Sequence, residues 1–97
     1  MKKTESFRSW LLANNRYTIN AASSVLSRCR RVERDLALSL DASVRTSFGY
    51  AEVVARIQEE LLTNESDKTR KEGQASLVSA TRRYADFLAG RTDTGPM

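Results

Sequence analysis

An all-α fold is predicted, on three observations. The body of the chain holds no proline, the only one being Pro96, and proline is the residue that breaks a helix interior. Apolar residues recur at spacings of three and four along four separate segments, which is the period of a helix face. The alternating β-branched runs that mark strands are missing. Together these predict a compact four-helix bundle.

The first helix is expected over Thr4–Ala13. Phe7, Trp10 and Leu11 fall on one face and point inward. Asn14 and Asn15 then supply a stop, because asparagine tolerates the left-handed conformation. Thr18 is a good N-cap for the second helix, with Tyr17 placed to staple onto Ala22. At about 100° per residue, Ala22, Val25, Cys29, Val32, Leu36 and Leu40 form one inward stripe. The opposite face carries Ser23, Ser27, Arg30, Arg31 and Arg34, with Arg28 at the flank.

A polar stretch, residues 41–47, follows. The third helix is expected over 48–62, with Tyr50, Val53, Val54, Ile57 and Leu61 inward, and residues 63–68 form a polar connection. The fourth helix is expected over 71–89, although Gly73 weakens its first turn and favours a start after it. Leu77, Ala80, Thr81, Tyr84, Phe87 and Leu88 point in, and Gly90 fits the C-terminal stop. Residues 1–90 thus read as a single helical domain and residues 91–97 as a disordered tail.

Composition narrows function. Ninety-seven residues make one domain that buries roughly 60–65% of its unfolded surface. There is no histidine and the one cysteine is Cys29. Zinc sites of the Cys/His type and Ser-His-Asp or Cys-His catalysis are excluded. No Gly-rich phosphate loop or metal-binding carboxylate cluster is visible. The chain is therefore expected not to be an enzyme and to use no metal or cofactor. Cys29 lies mid-stripe and reads as a small core residue. No apolar run approaches the roughly 20 residues that span a bilayer. The apolar run behind Met1-Lys2-Lys3 is only Trp10 to Ala13, short of the about 7–15 of a signal peptide. A cytoplasmic location is expected, with no membrane partner and no small-molecule substrate evident.

Charge is uneven. Residues 1–46 hold nine Lys/Arg against four Asp/Glu, and residues 47–97 hold seven against eight, for a net +4. A positive first half suggests an anionic partner. Its densest stretch is Leu26-Ser27-Arg28-Cys29-Arg30-Arg31-Val32-Glu33-Arg34. Ser27, Arg30, Arg31 and Arg34 share the solvent side of the second helix, and Ser79, Arg82 and Arg83 repeat the arrangement on the fourth, beside Asp86. Guanidinium forks and hydroxyls suit phosphate oxygens, and two such helices side by side would line a groove. The plainer reading is a solvated helix face, with Glu33, Asp35 and Asp86 pairing locally with arginines. No base-reading motif is present. Trp10, Tyr17, Phe48, Tyr50, Tyr84 and Phe87 read as core aromatics, with Tyr17 and Phe48, near loops, the most exposed of them.

The order of these pieces resembles the N-terminal core-binding domain of tyrosine recombinases, the SAM-like domain of phage integrases. Phe7-Arg8-Ser9-Trp10-Leu11 matches the family's opening F-x-x-W/Y-L helix. Thr18-Ile19 onward to Leu26-Ser27-Arg28 matches its threonine-capped apolar and basic helix, and Ser79 to Leu88 its last helix, which ends in an aromatic and leucine. The resemblance covers residues 5–89. It departs at Ala22, where the family often has an aromatic, and in the longer polar segment 41–49. The family's catalytic domain, with its histidines and tyrosine nucleophile, has no counterpart, so no catalytic role passes to Tyr50 or Tyr84. The resemblance implies a SAM-like bundle that clamps duplex DNA through its second and fourth helices, in mobile-element or phage DNA recombination.

Both lines give the same expectation. Ser27, Arg28, Arg30, Arg31 and Arg34 on the second helix, and Arg82 and Arg83 on the fourth, contact the DNA backbone, with Lys2 and Lys3 as a flexible basic arm. The rival is a small helical inhibitor or adaptor that meets a protein with an acidic surface. A third reading is a bundle that dimerises through leftover apolar residues such as Leu12, Leu38 and Leu62.

Overall fold

The computed structural model describes residues 1–13 and 17–90. Over these residues the chain forms five α-helices and no strand: α1 (Thr4–Ala13), α2 (Ile19–Leu36), α3 (Leu40–Ser43), α4 (Ser47–Glu60) and α5 (Asp67–Leu88). The all-α class is as expected, and α1, α2, α4 and α5 are the four expected helices. The Asn14-Asn15 stop and the tail 91–97 lie outside the described residues.

α2 starts as its sequence indicates, with the Thr18 hydroxyl accepting from Ala21 N at 3.1 Å. It buries Ala22, Val25, Leu26, Cys29, Val32 and Leu36. It does not continue to Leu40. Ala37 takes the left-handed conformation, φ 52°. Ala37 N donates to Arg34 O at 3.4 Å and Leu38 N to Glu33 O at 3.1 Å, a Schellman closure. Nothing in the residue types marks this stop, because glycine is the usual occupant of that position. Leu40 keeps its buried side because the chain restarts there as α3, a single turn inside the stretch expected to be irregular. The Glu33 carboxylate turns inward rather than toward an arginine, and Oε2 accepts from Leu40 N at 2.9 Å.

α4 begins one residue before the expected start, because the Thr46 hydroxyl accepts from Gly49 N at 3.0 Å and caps it. Gly49 is required by the corner. A Cβ there would stand 1.9 Å from Ser43 O, so α3 meets the first turn of α4 only over bare backbone. At the other end Gln74 closes α4, its Nε2 donating to Leu61 O at 2.8 Å and to Gln58 O at 3.0 Å. Satisfying these orphan carbonyls explains a buried amide that the apolar pattern does not predict.

α5 starts at Asp67 rather than at 71 or after Gly73. Ser66 accepts from Thr69 N at 3.4 Å, and Asp67 in the first turn complements the helix dipole. Gly73 lies within the helix against Leu62, whose Cδ1 would stand 2.4 Å from an added Cβ. The glycine marks a close approach rather than a weak turn. Gly90, φ 76°, follows the C-terminal end as expected.

α2 and α5 share the largest interface, α1 lies on both, and α4 packs on α5 and α2. Small residues sit where α2 meets α5: Cys29 and Ala80 are buried, and the Cys29 thiol donates to Ala80 O at 3.3 Å. Phe7 anchors α1, with its ring centroid 4.9 Å from Tyr84, 5.3 Å from Phe87 and 6.0 Å from Trp10. Such aromatic pairs each add roughly 0.5–1.5 kcal/mol beyond area burial. Trp10, expected inside the core, lies half-buried at its edge. Phe48 is not a core residue at all, being 74% exposed, because it falls on the outer side of the first turn of α4. No helix among the described residues is long and apolar enough to cross a membrane.

Candidate nucleic-acid interface

The helical period spreads the α2 arginines around the axis. Ser27, Arg28, Arg30, Arg31 and Arg34 are all exposed. At about 100° per residue, Arg28 and Arg30 stand roughly 160° apart, so they do not present to one plane. Asp35 ties two of the others, accepting from Arg31 Nε at 3.3 Å and Arg34 Nε at 3.0 Å. The hydrogen bond from Arg34 is the largest reason that the Asp35 carboxyl titrates below its ordinary value. These pairs are surface pairs, worth roughly 0–1 kcal/mol each. Each guanidinium also keeps N–H groups beyond the Nε used here. Neither Arg28 nor Arg30 makes an ion pair among the described residues.

The packing of α5 along α2 brings Arg28 to the helix that carries Arg83. The two line one cleft of about 330 Å³ together with Tyr17, Ser76 and Ser79. Two guanidiniums and three hydroxyl-bearing side chains thus border one groove, floored by Val25 and Ala80. Of the residues expected to line a groove between the two helices, this cleft takes Ser79 and Arg83 from α5 and only the flanking Arg28 from α2; Ser27, Arg30, Arg31 and Arg34 do not line it.

Arg82 is not in it. It is exposed and lines a separate cleft between α5 and the α3–α4 corner, with Arg45, Thr46, Ser47, Tyr50 and Asp86. Consecutive residues on a helix diverge by about 100°, so Arg82 and Arg83 straddle α5 rather than sharing a bank. Arg45 escaped the sequence reading because it sits in the polar stretch before α4. The cue available was an arginine directly before the N-capping Thr46.

The basic arm is also revised. The side chains of Lys2 and Lys3 are exposed, but their backbone is tied down. Lys2 N donates to Asp41 Oδ2 at 2.8 Å, Lys3 O accepts from Phe7 N at 2.8 Å, and the Met1 nitrogen donates to Glu33 Oε1. Asp41 also accepts from the Tyr84 hydroxyl. Desolvation raises the Asp41 carboxyl, and the hydrogen bonds from Tyr84 and Lys2 outweigh it, leaving the group below its ordinary value. Burial and the bond to Asp41 push the Tyr84 phenol up, so it remains a neutral donor.

The chain matches no protein-family model, no curated protein and no solved structure.

Among the described residues no group of three or more His, Cys, Asp or Glu side chains is placed to hold a metal ion. Cys29 is fully enclosed. Burial, reinforced by nearby Glu33, pushes its thiol up to about 12, so it is a poor nucleophile at neutral pH. The two clefts are lined by hydroxyls and by more guanidinium than carboxylate groups.

Proposed function

We propose that this domain binds duplex DNA through the phosphate backbone, without chemistry of its own, as a SAM-like module similar to the core-binding domain of phage integrases. One observation carries the reading: Arg28 and Arg83 border a single groove with Tyr17, Ser76 and Ser79, while Arg30, Arg31 and Arg34 stand exposed along the same α2. Guanidinium and hydroxyl donors together suit phosphodiester oxygens, and such contacts position a protein without reading base sequence. The lack of base-reading motifs agrees with a clamp rather than a sequence reader. The setting is cytoplasmic DNA transaction of the mobile-element type.

Alanine scanning tests it. Arg28→Ala and Arg83→Ala, at the groove, should weaken binding to unrelated duplexes most, Arg31→Ala and Arg34→Ala less, and Arg30→Ala, roughly 160° from Arg28 around α2, least, measured by fluorescence anisotropy at low salt. Thermal stability should change by less than about 0.5 kcal/mol for the four exposed α2 positions. Binding that ignores all five substitutions would move the rival forward, a helical adaptor whose arginines meet an acidic protein surface.

A further inference from the structure

The cleft between α5 and the α3–α4 corner shares no lining residue with the α2–α5 groove. Its volume is about 290 Å³, and its polar lining is Arg45, Thr46, Ser47, Tyr50, Arg82 and Asp86. Arg45 and Arg82 form no ion pair among the described residues. Arg45 Nε donates to Asp41 O at 3.0 Å, which holds the side chain and leaves its terminal N–H groups available. Burial pushes the Tyr50 phenol up, Arg82 partly offsets this and Asp86 adds to it. Both charges therefore stand close to the hydroxyl, which stays protonated at neutral pH. The Thr46 hydroxyl is committed to Gly49 N, but the hydroxyls of Ser47 and Tyr50 make no hydrogen bond among the described residues. Two guanidiniums and two hydroxyls, supplied by α4, α5 and the turn between α3 and α4, thus line one cleft against a single carboxylate. Donors from three elements suit a tetrahedral anion, whose oxygens point several ways, better than a carboxylate, whose two oxygens lie in one plane.

We infer that this cleft binds a phosphate group, held by Arg45 and Arg82 with Ser47 and Tyr50 donating to its remaining oxygens. The site is independent of duplex binding at the α2–α5 groove. Asp86 opposes the anion, so its charge weakens the site rather than building it. The volume lies at the foot of the roughly 300–1,000 Å³ of small-molecule pockets. The occupant is therefore the phosphate of a small ester or a single phosphate of a nucleic-acid backbone, not a large cofactor.

NMR titration of the full chain tests it, following backbone amides with inorganic phosphate, adenosine monophosphate, a blunt duplex and, as the planar control, acetate at matched ionic strength. Inorganic phosphate should shift the Ser47, Tyr50 and Arg82 amides saturably, and acetate should not. Arg45→Ala and Arg82→Ala should each weaken phosphate binding by roughly tenfold, the worth of one hydrogen bond to a charged group. Asp86→Asn should tighten it. Arg45 and Arg82 are exposed, so both variants are expected to fold, and their melting curves verify this. A duplex that shifts the same amides assigns the phosphate to a backbone. A nucleotide that does so where the duplex does not assigns it to a small ester. No saturable shift, an equal response to acetate, or an affinity that ignores both arginine substitutions overturns the site. Loss of duplex affinity alone leaves the response to inorganic phosphate intact, so the two readings fail separately.

Discussion

At the scale of single residues, Asp41 and Cys29 hold groups that the core must keep in one protonation state. Asp41 receives hydrogen bonds from the Tyr84 hydroxyl and Lys2 N. Its folded pKa lies below the ordinary 3.8, so its contribution is complete above about pH 4 and is lost as pH falls through the lower folded value. Tyr84→Phe removes the strongest of these bonds. It should cost about 1–3 kcal/mol at neutral pH and flatten the acid decline below pH 4, as read from denaturant midpoints across pH. An unchanged acid profile would mean that the bond contributes nothing. Cys29, fully enclosed and pushed up to about 12, should label with a thiol reagent only as fast as the domain opens. Prompt labelling at neutral pH would mean that α2 is rotated and its arginines point elsewhere.

At the scale of elements, the apolar period was the legible part. It located the four long helices and named the buried stripe of α2 apart from Leu26, because burial in a bundle follows the 3.6-residue repeat directly. Ends were less legible, because they depend on backbone geometry and on partners distant in sequence. Ala37 closes α2 without the glycine that announces such a turn, and Gly73 looks like a weak start until Leu62 is seen against it. Gln74 looks like an ordinary polar residue until the end of α4 reaches it. The Ala37 position can be tested. An alanine in the left-handed region costs roughly 1–2 kcal/mol, which glycine avoids at some entropic expense. Ala37→Gly should therefore raise stability by up to about 1 kcal/mol, visible as a higher thermal midpoint. A lower midpoint would show that the turn does not control α2. The candidate site was legible in its residue types but not in its grouping. Arg82 and Arg83 are neighbours in sequence and face different clefts, while Arg28 and Arg83 are distant in sequence and share one.

At the scale of the whole molecule, the α4–α5 turn and its flanks carry Glu59, Glu60, Glu65, Asp67 and Glu72 together with Arg56, Lys68, Arg70 and Lys71, and Arg56–Glu60 and Arg70–Asp67 pair there, so this end is close to neutral. Glu72 and Arg83 are separated by roughly 16 Å along α5, at 1.5 Å per residue. That exceeds the screening length of about 8 Å at physiological salt, so the carboxylates at this end have little effect at the groove.

The most direct test of the phosphate-clamp account is the salt dependence of duplex binding, for the wild type and for an Arg28→Ala/Arg83→Ala double variant. Each phosphate contact releases condensed counterions, so log affinity should fall with log salt at a slope of about −0.9 per contact. The double variant should show a slope shallower by about two contacts on any duplex sequence. No duplex binding at low salt, or identical slopes for the two proteins, would contradict the account.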